Sequence, residues 1–115
     1  MNPKKSLVYF KANILKALAD PIRLDIIELF RAGEWCVCDI VPQIKVAQPL
    51  VSRHLKILKE RGIVKSRKMG NRTYYSITDN RIYDILDALN EELLVSFSDA
   101  IAQYSNIHRL RGNLV

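Results

Sequence analysis

Apolar residues recur at helical spacing through the first half of the chain and then change period. Leu7, Phe10, Ile14, Leu15 and Leu18 line one face of a helix over about Ser6 to Ala19. Asp20-Pro21 restarts the chain with an N-cap acid and a proline at the first helical position. Leu24, Ile27 and Phe30 continue a second helix to Gly33, a natural C-terminal stop. A short third helix is predicted to include Cys38 to Gln43, kept brief by Pro42. Lys45-Val46-Ala47 makes a turn, and a fourth helix opens at Gln48-Pro49 and ends at Gly62.

Beyond Gly62 the pattern predicts strands. Ile63 to Lys68 and Arg72 to Ile77 flank Met69-Gly70-Asn71, the composition of a β-hairpin tip. Thr78 or Asp79 can then cap one long final helix, about 79–104, in which Ile82, Leu86, Leu89, Leu93, Phe97, Ala100 and Tyr104 recur three or four apart. The tail from Ser105 to Val115 is left open. The order α-α-α-α-β-β-α is that of a mainly α winged helix-turn-helix, with a recognition helix about 48–61 and a wing about 63–77. With no linker or repeat, 115 residues are read as one domain, small enough to gain from dimerisation.

Charge sharpens this picture. The net formal charge is +6, but between Lys45 and Arg72 nine basic residues face a single acid, Glu60. That segment carries +8 and leaves −2 for everything else. One electropositive patch on a mildly acidic body suits a polyanion such as double-stranded DNA. No stretch reaches the length of a membrane-spanning helix, and the N-terminus makes a poor signal peptide, so a cytoplasmic location without membrane attachment is expected.

In the fourth helix Val51, Leu55 and Leu58 form the apolar back, while Gln48, Ser52, Arg53, Lys56 and Lys59 form a polar front. A recognition helix needs that division. Gln48 can pair with adenine, Arg53 with guanine, and Ser52 with a base or a phosphate. Lys56 and Lys59 suit the backbone. His54 borders the apolar stripe and is counted among the DNA-facing candidates, although packing with a hydrogen bond is the competing reading. On the wing, Arg67, Lys68, Asn71 and Arg72 can reach a minor groove or phosphates. No nucleophile elbow, phosphate loop or zinc-hydrolase spacing is present, so the chain is not read as an enzyme.

Cys36 and Cys38 are the only cysteines. Residues two apart in a regular helix stand about 200° apart around its axis, so one soft ion can hold both only where the backbone departs from helix. Binding is therefore expected to unwind or shift the start of the third helix and, through the short turn, the recognition helix. Thiolates favour As(III), Sb(III), Cd(II), Pb(II), Zn(II) or Cu(I). The remaining ligands could be water, a small thiol, Asp39 or another subunit. A disulfide or persulfide switch is the alternative, and two inert buried cysteines on a constitutive DNA-binding protein the third reading.

Four segments carry a family resemblance: Leu18-Ala19-Asp20-Pro21-Ile22-Arg23-Leu24, Glu34-Trp35-Cys36-Val37-Cys38-Asp39-Ile40, Gln48-Pro49-Leu50-Val51-Ser52-Arg53-His54-Leu55 and Arg67-Lys68-Met69-Gly70-Asn71-Arg72-Thr73-Tyr74-Tyr75. Over about residues 12 to 86 the chain resembles the ArsR/SmtB family of metal-responsive transcriptional repressors. The resemblance implies a homodimer formed by the first and last helices, bound to a palindromic operator and released by metal or metalloid at Cys36 and Cys38. No cofactor is obligatory, and As(III) or Sb(III) is the expected effector, ahead of Cd(II), Pb(II) or Zn(II).

Some positions depart from the family pattern. Val41 stands where arsenic repressors of this type often have a third cysteine. The N-terminal cysteines of cadmium and lead sensors are missing. The final-helix zinc site matches at Asp79 but not at Arg81, Glu92 or Val95, so it is rejected.

Overall fold

The computed structural model describes the backbone of residues 3–114 and the side chains of residues 3–106. It forms two compact units that divide after Asp79.

The first unit opens with α1 (Pro3–Leu18) and α2 (Pro21–Leu29), the latter tightening into a single 3-10 turn, Phe30–Ala32. A two-residue strand β1 (Trp35–Cys36) leads into α3 (Val37–Ile44), then α4 (Gln48–Glu60), β2 (Val64–Met69) and β3 (Arg72–Ile77). Asp20 starts α2 as read from the sequence: its carboxylate accepts from the amides of Ile22 at 2.9 Å and Arg23 at 3.1 Å. Gly33 ends the following turn at φ +126°, a conformation L side chains rarely adopt.

Ile26 and Ile27 of α2, Ile40 of α3, and Val51, Leu55 and Leu58 of α4 are fully buried. They are one residue set from three helices, and Ala17, Leu18, Phe30, Cys36, Ile63, Val64 and Ile77 complete the core of this unit. The apolar back of α4 is thus fixed to the domain, which leaves its other face outward. α3 and α4 are joined through Lys45, whose left-handed φ of 56° turns the chain sharply after α3.

β2 and β3 pair from Val64↔Ile77 to Met69↔Arg72, so Gly70 and Asn71 alone make the turn. Gly70 sits at φ +62°, as a tight hairpin tip requires. β1 was not anticipated. It adds to the free edge of β3 with Trp35 opposite Tyr75 and Cys36 opposite Tyr74, giving the antiparallel order β1-β3-β2. Its partner lies almost forty residues away, so no local period announces it. α3 also begins one residue earlier than expected and contains Pro42.

The second unit corrects the single final helix. It holds α5 (Ile82–Ala88) and α6 (Glu91–Leu114). The break falls at Leu89, with φ −80° and ψ 58°, and Asn90 recaps the chain by accepting from the Leu93 amide at 2.9 Å. The backbone of the tail left open by the sequence is helical to Leu114, and Val115 lies outside the described residues.

The apolar stripe of α1 is largely open on the single chain. Leu18 is buried, but Leu7, Val8, Tyr9, Phe10 and Leu15 are each more than half exposed. In the second unit Leu94, Val95, Phe97, Ile101 and Tyr104 are likewise more than half exposed. Among the described residues no helix is long and apolar enough to cross a membrane.

Candidate nucleic-acid interface and thiol centre

α4 presents Gln48, Ser52, Arg53, Lys56 and Lys59 to solvent while burying Val51, Leu55 and Leu58. Its N-terminal turn starts cleanly: Pro49 lies among the first positions, where no amide is needed, and the carbonyl of Ala47 accepts from Leu50 and Val51.

His54 is the exception among the candidates. It is 7% exposed, and its Nδ1 lies 3.1 Å from Nη1 of Arg23. A ring held that way belongs to the inside of the domain, so His54 leaves the DNA-facing set. Position i+3 from Val51 places it with the apolar back.

On the wing, Lys68, Asn71 and Arg72 are exposed. Arg67 is otherwise engaged. Its Nε and Nη2 donate to the two carboxylate oxygens of Glu34 at 2.7 and 2.8 Å, and its guanidinium lies 5.7 Å from the Tyr74 ring centre. The hydrogen bonds from Arg67 hold the Glu34 carboxyl below its ordinary value, and Glu34 in turn raises Arg67.

The cysteines do not stand on opposite sides of a helix. Cys36 is the N-cap of α3 with extended backbone (φ −85°, ψ 166°), while Cys38 lies inside the first turn. That change of conformation swings the Cys36 side chain round to Cys38, and the two sulfurs are joined as a disulfide with Cα atoms 5.2 Å apart. The expected unwinding of α3 is therefore unnecessary: the required irregularity is already present in the cap. Cys36 is buried and Cys38 exposed. The Asp39 Oδ2 accepts from the Cys36 amide at 3.3 Å, and its carboxylate and the two sulfurs lie within 4.8 Å of one another. Val41, half-buried one turn further on, supplies no ligand.

Each sulfur is mechanically tied to one of the two candidate DNA-contacting elements. Cys36 belongs to the strand paired with β3 of the wing, and Cys38 to the helix that precedes α4. Both border a cleft of about 410 Å³ whose other walls include Gln48, Asn71, Arg72 and Tyr75. The sequence placed none of these together. Tyr75 and Arg23 were not recognised as site or support residues, because only strand register and helix packing bring them into position.

A helix-turn-helix whose second helix shows a polar front, followed by a basic hairpin, defines a winged DNA-binding regulator. Comparison with known proteins agrees. The description "bacterial regulatory protein, arsR family" matches residues 20–66. An HTH-type transcriptional regulator of Methanocaldococcus jannaschii is 46% identical over 81 residues, spanning 70% of this chain and 91% of that one. The arsenical resistance operon repressor of Staphylococcus xylosus is 37% identical over 89 residues, spanning 76% and 82%. Among solved structures, the homodimeric winged helix-turn-helix DNA-binding domain of a Mycobacterium bovis protein superposes with a TM-score of 0.74 at 31% identity, covering 82% of this chain and 90% of that one. The chain belongs to the ArsR/SmtB family of transcriptional repressors, and it is a DNA-binding regulator rather than an enzyme.

Proposed function

We propose that the protein acts as a homodimer on a two-fold symmetric operator and lets go when a thiophilic metalloid, foremost As(III), bonds to Cys36 and Cys38. The observation that carries this reading is the closeness of the two sulfurs at a cleft shared with Gln48, Asn71 and Arg72. Two soft donors already within bonding reach need little rearrangement to hold one soft centre. The donor set fits As(III) or Sb(III) better than a hard cation, because among the described residues two of the three donors clustered here are sulfurs. Zn(II) usually takes four ligands, which this cluster does not supply.

The DNA contacts are assigned to Gln48, Ser52, Arg53 and Lys56 from α4 and to Lys68, Asn71 and Arg72 from the wing. A dimer would cover the exposed apolar residues of α1 and of α6, which on a soluble monomer would be costly to leave in water. The similar Mycobacterium bovis domain is homodimeric, and the similar Staphylococcus xylosus protein represses an arsenical resistance operon, which support the assembly and the effector.

The test is a gel shift with the reduced protein on its own upstream DNA. Arsenite is expected to release the wild type and to leave Cys36→Ser and Cys38→Ser proteins bound. Release of the variants at the same arsenite concentration would end the sensing half of the proposal.

The disulfide itself favours a second reading, in which oxidation rather than metalloid binding changes DNA affinity. Diamide-treated protein then loses or gains affinity without arsenite, and a phosphine reductant restores the starting value. No change in affinity on oxidation would discard it.

A further inference from the structure

The proposed metalloid leaves one of its three bonds without a partner. The chain has only two cysteines. Asp39 stands near them, but its Oδ2 already accepts from the Cys36 amide, and a carboxylate is a hard ligand for a soft centre. A third sulfur must come from outside this chain, and the cleft over the pair suggests its form.

The cleft, about 410 Å³, lies in the size range of small-molecule sites. Cys38 is exposed at its edge, so a ligand on the sulfurs extends into it. Arg72 is the only charged residue of its lining, and among the described residues no acid is paired with Arg72. The amides of Gln48 and Asn71 and the Tyr75 hydroxyl add polar groups. That is a surface for a carboxylate tethered a few bonds from a sulfur.

Resting on the As(III) reading, we propose that this cleft takes a low-molecular-weight thiol bearing a carboxylate, with its sulfur as the third ligand and its carboxylate on Arg72. Two molecules of the free thiol first open the Cys36–Cys38 disulfide and leave as their own disulfide, giving the two protein thiols; arsenous acid then exchanges its three As–O bonds for three As–S bonds. The three departing hydroxides take the protons of the two protein thiols and one further free thiol and leave as three waters, with no change in the oxidation state of arsenic. The bound thiol places negative charge between Gln48 and Arg72, both assigned to DNA. Release then follows from occupation of the DNA-facing surface as well as from any shift of α3.

The test uses full-length protein reduced with a phosphine, which adds no thiol, and follows Trp35 fluorescence as arsenite is added. Glutathione or 3-mercaptopropionate is expected to lower the half-saturating arsenite concentration about tenfold relative to 2-mercaptoethanol, the worth of one charge-assisted hydrogen bond. Cysteamine, a cationic thiol, should fall below both. In Arg72→Ala the preference for the carboxylate thiol should vanish, and native mass spectrometry of the wild type should show one arsenic and one free thiol per chain. Equal effects of charged and neutral thiols, or an arsenic adduct without free thiol, would overturn the inference. Phenylarsine oxide, which needs only two sulfurs, keeps the two claims apart. Its failure to bind Cys36 and Cys38 sinks the underlying metalloid reading, whereas its binding without any thiol preference for arsenite sinks only this extension.

Discussion

Arg23 on α2 places Nη1 3.1 Å from Nδ1 of His54 on α4, across 31 residues of sequence. A guanidinium only donates, so Nδ1 must be the acceptor and the ring proton resides on Nε2. The same side chain donates through Nε to the Ala17 carbonyl and through Nη2 to that of Lys16, at 3.4 Å. One residue thus ties the last turn of α1 to the buried side of the recognition helix. It also satisfies the Ala17 carbonyl, of the kind a helix end leaves without a partner, and adds a second donor to the Lys16 carbonyl, which already accepts from the Ala19 amide.

Replacing Arg23 with Ala removes all of these bonds and leaves the buried His54 Nδ1 unpaired. A loss of about 1–3 kcal/mol in urea unfolding is expected, the range for stranding a buried acceptor. His54→Ala should cost a similar amount without changing which bases are read. An altered base preference with unchanged stability would return His54 to the DNA surface.

Asp20 gives a prediction with a pH signature. Hydrogen bonding from the Arg23 amide, with smaller help from the nearby charge of Arg23 and from the Ile22 amide, outweighs desolvation and lowers its carboxyl below the ordinary 3.8. A depressed folded-state value means that its contribution is present above the unfolded value and fades as pH falls through the lower, folded one. Asp20→Ala should therefore cost about 1 kcal/mol near neutrality, and the gap from wild type should narrow below pH 3.8. A gap that stays constant down to pH 2 would contradict the cap as the cause.

DNA affinity should separate base contacts from phosphate contacts. Arg53→Ala is expected to lose about 1–3 kcal/mol and to relax preference at one operator position. Lys68→Ala should weaken all sequences alike and make the salt dependence shallower by about one unit of slope. The wild-type affinity itself should fall about 10³-fold or more between about 50 and 200 mM salt. A filter-binding series across operator variants distinguishes these outcomes.

The turn between α3 and α4 offers a test of backbone strain. Lys45 is the only described non-glycine residue with positive φ, at 56°. Lys45→Gly is expected to raise stability by up to about 1 kcal/mol. Gly70→Ala at the wing tip, φ +62°, should lower it by about as much. Thermal melts of the two variants moving the same way would show that the turn is governed by something other than φ.

Much of this architecture was legible before folding because its signals are local. Asp20-Pro21, Gly33, Gln48-Pro49 and Gly62 mark helix ends within a few residues of where they fall, and Gly70-Asn71 marks the hairpin. The apolar back of α4 and the basic run from Lys45 to Arg72 likewise follow from spacing and charge alone. What needed the tertiary structure was every relation between residues far apart in the chain. Strand β1 exists only because β3 offers a free edge. Arg67 is held by Glu34, and His54 is drawn inward by Arg23. The meeting of the two sulfurs was a near miss of a different kind: their spacing is local, but whether Cys36 is helical or extended depends on that strand pairing. Periodicity reports which face a residue occupies, whereas a partner tens of residues away is chosen by packing, and no local pattern encodes that choice.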